Sequence, residues 1–456
     1  MQLTSEQEQA LVVLRRLPSR GGVHALHGPA GTGKTTLMRW LAIELASSGI
    51  KACFCAPTHQ AKSVLASKLP DRSFVRTAAS ICNVKKKIID GVEKMVITWE
   101  PGRYPRLDEA SILIVDEASM IDQEYADTLQ KICEDEKAAL LMIGDQYQLP
   151  PVGKATMCYQ FMNPSGTLTK LTKIVRHQGP VLEYATHVRE NFNRTHGQPT
   201  KSRIGKESSI HHYDQPTDWF KSAISMIASD KWKFRPNLAR VISYTNRNCE
   251  AITRRIRNEI YGAASDQGWV SGELIRNAPG PLKAPGDSDT IIGYANAEWI
   301  IHSQNFIDLE HTVGPYSAFA KVQQLDILSV VNGTVEVGAE PITIYVPLPG
   351  DHAWRDQMKK HYQRIRRGVD KGDLAETHFS HYYDLASMVA GNIRSAAVCT
   401  VHSSQGSTFD NVFIYDDLLL CHSRERNNLI YVAATRAATA THYFRPRHPV
   451  PQTVLI

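Results

Sequence analysis

Gly28-Pro-Ala-Gly-Thr-Gly33-Lys34-Thr35 places glycines, a lysine and a hydroxyl at the spacing GxxxxGK[ST]. Glycines let successive backbone N–H groups close around phosphate oxygens, and a helix opening at this point adds partial positive charge. In that pattern the lysine reaches the β- and γ-phosphates and the Thr35 hydroxyl ligates a Mg²⁺ ion carried in with ATP. The expected nucleotide contacts are therefore Gly28, Pro29, Ala30, Gly31, Thr32, Gly33, Lys34, Thr35 and Thr36. A chance match in a chain of this length is on the order of one in a hundred. Such a loop needs a metal-ordering carboxylate at the end of a neighbouring strand. Ile112-Leu-Ile-Val-Asp116-Glu117 supplies it, with Asp116 for Mg²⁺, directly or through water, and Glu117 for the attacking water. The transition state also needs positive charge. Arg176, ending Leu171-Thr-Lys-Ile-Val-Arg, and Arg436, ending Tyr431-Val-Ala-Ala-Thr-Arg, are the candidates. Taken alone, each is more commonly a surface arginine; supplied by a second domain, it couples domain closure to hydrolysis.

Positioning these groups requires strands that end together. Val23–His27, Lys51–Ala56, Ile112–Val115 and Ala139–Ile143 are apolar runs separated by helical patterns over Thr35–Ser48 and Thr58–Leu69. That rhythm predicts a parallel sheet covered on both sides. Residues 84–106 break it. An Asp90-Gly91 turn between β-formers predicts a projecting hairpin. A second α/β region follows from about residue 182, with a strand at Val241–Thr245, a helix at Asn248–Tyr261 and strands at Val398–Val401 and Val412–Tyr415. Between them, residues 265–395 begin Gly- and Pro-rich, contain β-rich segments (Glu298–His302, Ile342–Val346) and run into a basic helical segment, Asp351–Arg367. The texture is that of a β insertion carrying a helical element.

Bulk composition excludes several classes. The chain has 456 residues, roughly three domains at about 150 each. Its 42% hydrophobic and 21% charged content is that of a globular protein. No apolar run approaches the ~18 residues of a membrane span, and the N-terminus has no basic-then-apolar signal, so cytoplasmic residence is expected, in the host cytoplasm if the chain is phage-encoded. Eight scattered cysteines without a CxxC pair read as reduced and buried, Cys53 and Cys55 packing in a core in preference to holding metal. HExxH is absent, and His378 and His381 have helical ligand spacing without further ligands. Net charge is +6, and it is concentrated: residues 84–106 hold six basic against three acidic residues, and 351–371 hold seven against three. Placement of that kind favours a nucleic-acid partner more than the total does.

In order, these motifs resemble superfamily 1 helicases of the 5′→3′, RecD-like branch (1B), especially the Dda helicases of T-even bacteriophages. Leu3-Thr-Ser-Glu-Gln7 resembles the Q motif, with Gln7 as adenine reader. Gly28–Thr36 is similar to motif I, Ala56-Pro-Thr-His-Gln-Ala-Lys62 to motif Ia and Asp116–Ser119 to motif II. Gly144–Val152 resembles motif III, with Gln146 or Gln148 linking γ-phosphate to DNA. Arg176 falls at the motif IV arginine, Thr400–Gly406 resembles motif V, and Leu429–Ala437 resembles motif VI with Arg436 as finger. The chain departs from the pattern at Ser403, Ala79 and Ala438, where lysine, histidine and a basic residue are usual.

The resemblance implies two RecA-like domains, 1A (1–83 and 107–181) and 2A (182–264 and 396–456). It also implies a strand-separating pin, 1B (84–106), and an SH3-like 2B insertion (265–395). It implies single-stranded DNA gripped through its backbone at Pro57, Thr58, His59, Thr77, His402, Ser404 and Gln405, at forked duplex DNA. Trp99 either stacks on a base at the fork or packs its arm onto domain 1A, and Trp354 is a further candidate contact to DNA or pin. The implied protein is a monomer, with a single-stranded-DNA-binding protein or other replication proteins as partners, in replication, recombination or repair. A P-loop kinase leaves motifs III, V and VI unexplained. A non-hydrolysing ATP switch conflicts with Glu117 and Arg436, and a duplex translocase with the hairpin.

Overall fold

The computed structural model describes residues 3–71, 73–90, 92–102, 106–151, 153–175, 179–192, 199–278, 280–331, 334–335, 339–418 and 423–445. Six parallel strands form the first sheet, in the order Phe74–Thr77, Ala52–Ala56, Ile112–Val115, Ala139–Gly144, Val23–His27, Leu168–Lys170. The central strands are apolar on both faces because helices cover both, as a parallel sheet requires. Two clusters result. One side carries Leu37, Leu41 and Leu45 of the helix Lys34–Ser47; the other carries Leu129, Ile132 and Cys133 of the helix Gln123–Asp135. Seven cysteines are free and buried, and Cys421 lies outside the described residues.

A second six-stranded sheet runs Val398–Thr400, Ala239–Ser243, Phe409–Tyr415, Ala437–Phe444, Ser209–Tyr213, Arg203–Ile204. It is parallel except for the last edge strand. Buried Asp417 accepts from Ser243 Oγ, the Tyr244 and Thr245 amides, Thr245 Oγ1 and Asn248 Nδ2, which fixes the turn from strand into the helix Asn246–Tyr261.

The chain leaves this body through Leu274–Asn277 and returns through Ile393–Ser395, two strands paired antiparallel. In between, Glu298–Val313 and Tyr316–Val331 form a long two-stranded ribbon. The helices Ala353–Asp370 and His378–Ser387 pack on it around Leu309, Val322, Trp354, Ile365 and Phe379. Trp354, a candidate contact to DNA or to the pin, is 6% exposed in the core of the insertion, and Ile88 of the 84–106 arm packs against that core. His378 Nδ1 is 2.8 Å from the Tyr316 hydroxyl, and no His/Cys/Asp/Glu cluster suited to a metal occurs among the described residues. Among them, too, no helix is long and apolar enough to cross a membrane.

Val84–Ile89 pairs antiparallel with Val92–Ile97. This hairpin reaches the insertion. Lys86 pairs with Glu93 at 3.2 Å and with Asp289, Lys283 pairs with Glu93 at 3.1 Å, and the Tyr383 hydroxyl accepts from the Glu93 amide at 2.9 Å. Its other face leaves Lys87 directly opposite Lys94, both exposed, a like-charge pair that disfavours the bare hairpin. Trp99 packs with Val84 and Ile97 against the core of the first sheet and, partly exposed, also lines a cleft with Lys85, Lys87 and Arg106.

Candidate functional site

The P-loop follows the strand Val23–His27, and its last glycine turns the chain into the helix beginning at Lys34. Gly33 has φ +77°, and a Cβ there would lie 2.3 Å from Gln7 Nε2, so only glycine fits. Lys34 Nζ is folded onto its own loop, 2.6 Å from Gly28 O and 3.1 Å from Pro29 O. One cleft is lined by Ala30, Gly31, Gly33, Lys34, Thr35 and Thr36, by Asp116 and Glu117, by Gln148, and from the second domain by Gly406, Thr408, Thr435 and Arg436.

Asp116 ends its strand, where its amide donates to Cys55 O at 2.8 Å. Burial, and then the neighbouring Glu117 carboxylate, raise it to about 7. Glu117 adopts φ +49° and ψ +43°, a left-handed backbone uncommon outside glycine, and its Oε2 is buried without a hydrogen-bond partner. Arg436 is 4% exposed, and its guanidinium donates to Ser407 O at 2.9 Å and Val432 O at 3.1 Å.

Three sets of expected contact residues are engaged within the protein itself. Gln7 does not present its amide to a base: Nε2 donates to Thr32 O at 2.9 Å and Oε1 accepts from the Thr4 amide at 2.9 Å, completing a helix capping box. Gln146 is not among the residues lining the cleft; Gln148 is, its Oε1 accepting from Gln405 Nε2 at 3.1 Å. Thr77 and Ser404 are buried, at 2% and 1% exposure, and their hydroxyls serve the backbone: Thr77 accepts from the Ser80 amide and Ser404 donates to Val401 O. Thr58 likewise caps the helix His59–Ala66. Arg176 lies outside the described residues. Pro57, just past its strand, and His402, in the short helix Val401–Ser404, are partly buried, and the His59 ring stacks on Tyr294 of the insertion, with centroids 3.3 Å apart.

Sequence reasoning missed the joint between the domains. The loop after Ala139–Gly144 leaves the first sheet and enters the second domain, where Leu149 is buried in the core. Asn428 Nδ2 donates to Tyr147 O at 3.2 Å and Gln148 O at 2.6 Å. Asp145, fully buried, accepts from the Ala30 amide at 3.0 Å and from the Tyr431 hydroxyl at 2.8 Å. The motif III and VI patterns contain these residues, but nothing in either pattern pairs them.

Residues 2–212 match the family model described as AAA domain, and residues 395–442 match the UvrD-like helicase C-terminal domain. The chain is 25% identical over 457 residues to the ATP-dependent DNA helicase dda of Enterobacteria phage T4, covering 95% of this chain and 97% of that one. It is 30% identical over 475 residues to an uncharacterised protein of Acanthamoeba polyphaga mimivirus, with coverage of 91% and 93%. In fold it is similar to the Pif1 helicase from Bacteroides, solved with ADP-AlF3 and ssDNA, at a TM-score of 0.50, 17% identity, and coverage of 100% of this chain and 95% of that one. The two parallel sheets are accordingly a pair of RecA-like P-loop domains with one ATP cleft between them. Motif order, family models and full-length relatives agree: the chain belongs to the RecD-like, 1B branch of the superfamily 1 helicases.

Proposed function

We propose that this protein is an ATP-driven 5′→3′ DNA helicase that translocates on single-stranded DNA and opens forked duplexes. The observation that carries the reading is the composite cleft: Lys34, Asp116 and Glu117 come from one RecA-like domain and Arg436 from the other. A cleft built from two bodies makes hydrolysis depend on their approach, which is what a motor requires.

Thr35, Asp116 and Glu117 bring hard oxygen ligands to one wall of the cleft, and the partnerless Glu117 Oε2 is suited to an incoming water or ion, so the residues fit Mg²⁺. When bound with ATP, Mg²⁺ supplies charge neutralisation between the β- and γ-phosphates. Thr35 and Asp116 would hold it. Lys34 exchanges its loop carbonyls for β- and γ-phosphate oxygens. Glu117 accepts a proton as water attacks the γ-phosphorus, the bond to the β-phosphate oxygen breaks and ADP leaves. Arg436 faces the developing charge from the second domain, with Arg176 as the second proposed cation.

DNA would lie across the ends of both sheets, along Pro57, Thr58, His59, Thr77, His402, Ser404 and Gln405. The capping roles of Thr58 and Thr77 support a grip through helix N-terminal amides on phosphates, which reads no sequence. The 1A, 1B, 2A and 2B divisions set out above fit this reading. The hairpin Val84–Ile97, braced on the insertion, is the proposed pin, and Gln148–Gln405 the link from cleft to track. We place the protein in the cytoplasm as a monomer, working with single-stranded-DNA-binding and replication proteins.

The test is unwinding, with ATP, of duplexes bearing only a 5′ or only a 3′ tail. Opening of the 5′-tailed substrate is expected, with DNA-stimulated ATPase abolished in Lys34→Ala and Glu117→Gln. Opening of only the 3′-tailed substrate overturns the polarity, and full activity in either variant overturns the site.

A further inference from the structure

The Pro29–Ala30 peptide is held from both ends. Its carbonyl accepts from Lys34 Nζ at 3.1 Å and from Thr32 Oγ1 at 2.9 Å. Its amide, on Ala30, faces Asp145 Oδ2 at 3.0 Å and the Tyr431 oxygen at 3.1 Å, and Tyr431 in turn donates to Asp145 at 2.8 Å. Asp145 is 0% exposed and Tyr431 2%, so water does not replace these bonds while the domains are together. A peptide donating to a carboxylate from one end and accepting from an ammonium at the other is polarised in a single direction, and each bond strengthens its neighbour. The three participants come from the P-loop, the end of the strand Ala139–Gly144, and the helix Ser423–Thr435 of the second domain. Burial and Asp145 hold the Tyr431 phenol far above the usual tyrosine range, so it remains a donor at all working pH values.

We propose that Tyr431 is a positioning residue: its hydroxyl, with Asp145, sets the Pro29–Ala30 peptide and thereby Lys34, and does so only when the second domain is docked. The inference rests on the ATPase reading of the cleft and adds a route by which the second domain acts on the P-loop, separate from the arginine it contributes. Tyr431 would touch neither phosphate nor water; it acts through the peptide. Separation of the domains withdraws the hydroxyl, leaves Asp145 to hold the Ala30 amide alone, and lets the Pro29–Ala30 peptide shift within the loop from which Lys34 reaches the phosphates.

The experiment compares wild type with Tyr431→Phe, Asp145→Asn and the double variant, measuring kcat and KM for ATP with and without single-stranded DNA, and thermal unfolding in parallel. Tyr431→Phe removes one oxygen from a buried, charge-assisted set, so the ratio of DNA-stimulated to basal kcat is expected to fall about tenfold or more. The midpoint of unfolding should move little, and KM for ATP should rise. Tyr431→Phe should cause no further loss in the Asp145→Asn background, because the two groups act as one. An unchanged stimulation ratio and KM in Tyr431→Phe overturns the inference, as does simple additivity in the double variant. A wild-type protein without DNA-stimulated hydrolysis would instead overturn the ATPase reading.

Discussion

Leu149 belongs to the first domain by chain position and to the second by packing. It is 1% exposed and sits with Val181, Leu429, Ile430 and Tyr431, while the strand it follows belongs to the first sheet. Truncating a buried leucine to alanine costs about 2.7–5 kcal/mol. In Leu149→Ala neither core loses one of its own elements, so the cost falls on the docking of one domain against the other. At about 3 kcal/mol and 1.4 kcal/mol per decade, the docked population falls roughly a hundredfold relative to the separated one. Two assays read this. Calorimetric unfolding should change from one cooperative transition to two, with the first lowered, and the KM for ATP in the presence of DNA should rise as docking becomes limiting. A single transition at a uniformly lower midpoint, with unchanged KM, would show that Leu149 stabilises only its local fold and would refute the assignment of this loop as the joint.

Two further outcomes are expected. Because burial and Glu117 raise Asp116 to about 7, the carboxylate pair retains a proton below that pH and must release it to bind Mg²⁺ with nucleotide. Mg²⁺ affinity should therefore fall as pH drops from 8 to 6, approaching about tenfold per pH unit. Calorimetry at pH 6.5 in two buffers of different ionisation enthalpy should show proton release, diminished in Glu117→Gln; equal heats in both buffers would contradict it. Trp99→Ala should lower the unfolding midpoint by several degrees and leave single-stranded-DNA affinity unchanged, since the indole packs on the first core. A loss of affinity of about tenfold without destabilisation would restore base stacking as its role.

Groups whose chemistry is local were legible from residue types alone. The P-loop and the Asp116-Glu117 pair each depend on neighbours within a few positions, and the strands that carry them are apolar on both faces. The ribbon Glu298–Val313 with Tyr316–Val331 was seen only as a short segment near Glu298–His302. Its outer half does alternate, with Ile307, Leu309 and Val313 more buried than Asp308, Glu310 and Thr312, but the exposed run Gln304–Phe306 interrupts the period and separates that stretch from Glu298–His302. The choice between Gln146 and Gln148 was likewise illegible. They are two residues apart in a loop without periodicity, and only the packing of Leu149 into the other domain decides which one faces the cleft. At Gln7 a capping box and an adenine contact call on the same amide, and residue type alone does not choose between them.

The pairing of Leu274–Asn277 with Ile393–Ser395 has an evolutionary reading. Adjacent strands of a sheet lie about 4.8 Å apart, so a loop of a few residues could join the two and omit the ribbon, both helices and the small sheet between them. Nothing in the second RecA-like sheet would need to be rethreaded. The excursion is thus attached as a graft, and the family models, which end at 212 and resume at 395, leave this stretch unmatched. The RecA-like body and the inserted module can diverge at different rates in such a design. What restrains the module is its contact with the rest of the chain, through Lys86, Glu93, Lys283, Asp289 and Tyr383 at the hairpin and the His59–Tyr294 stack, so these side chains, not the hydrolytic ones, mark where the two must change together.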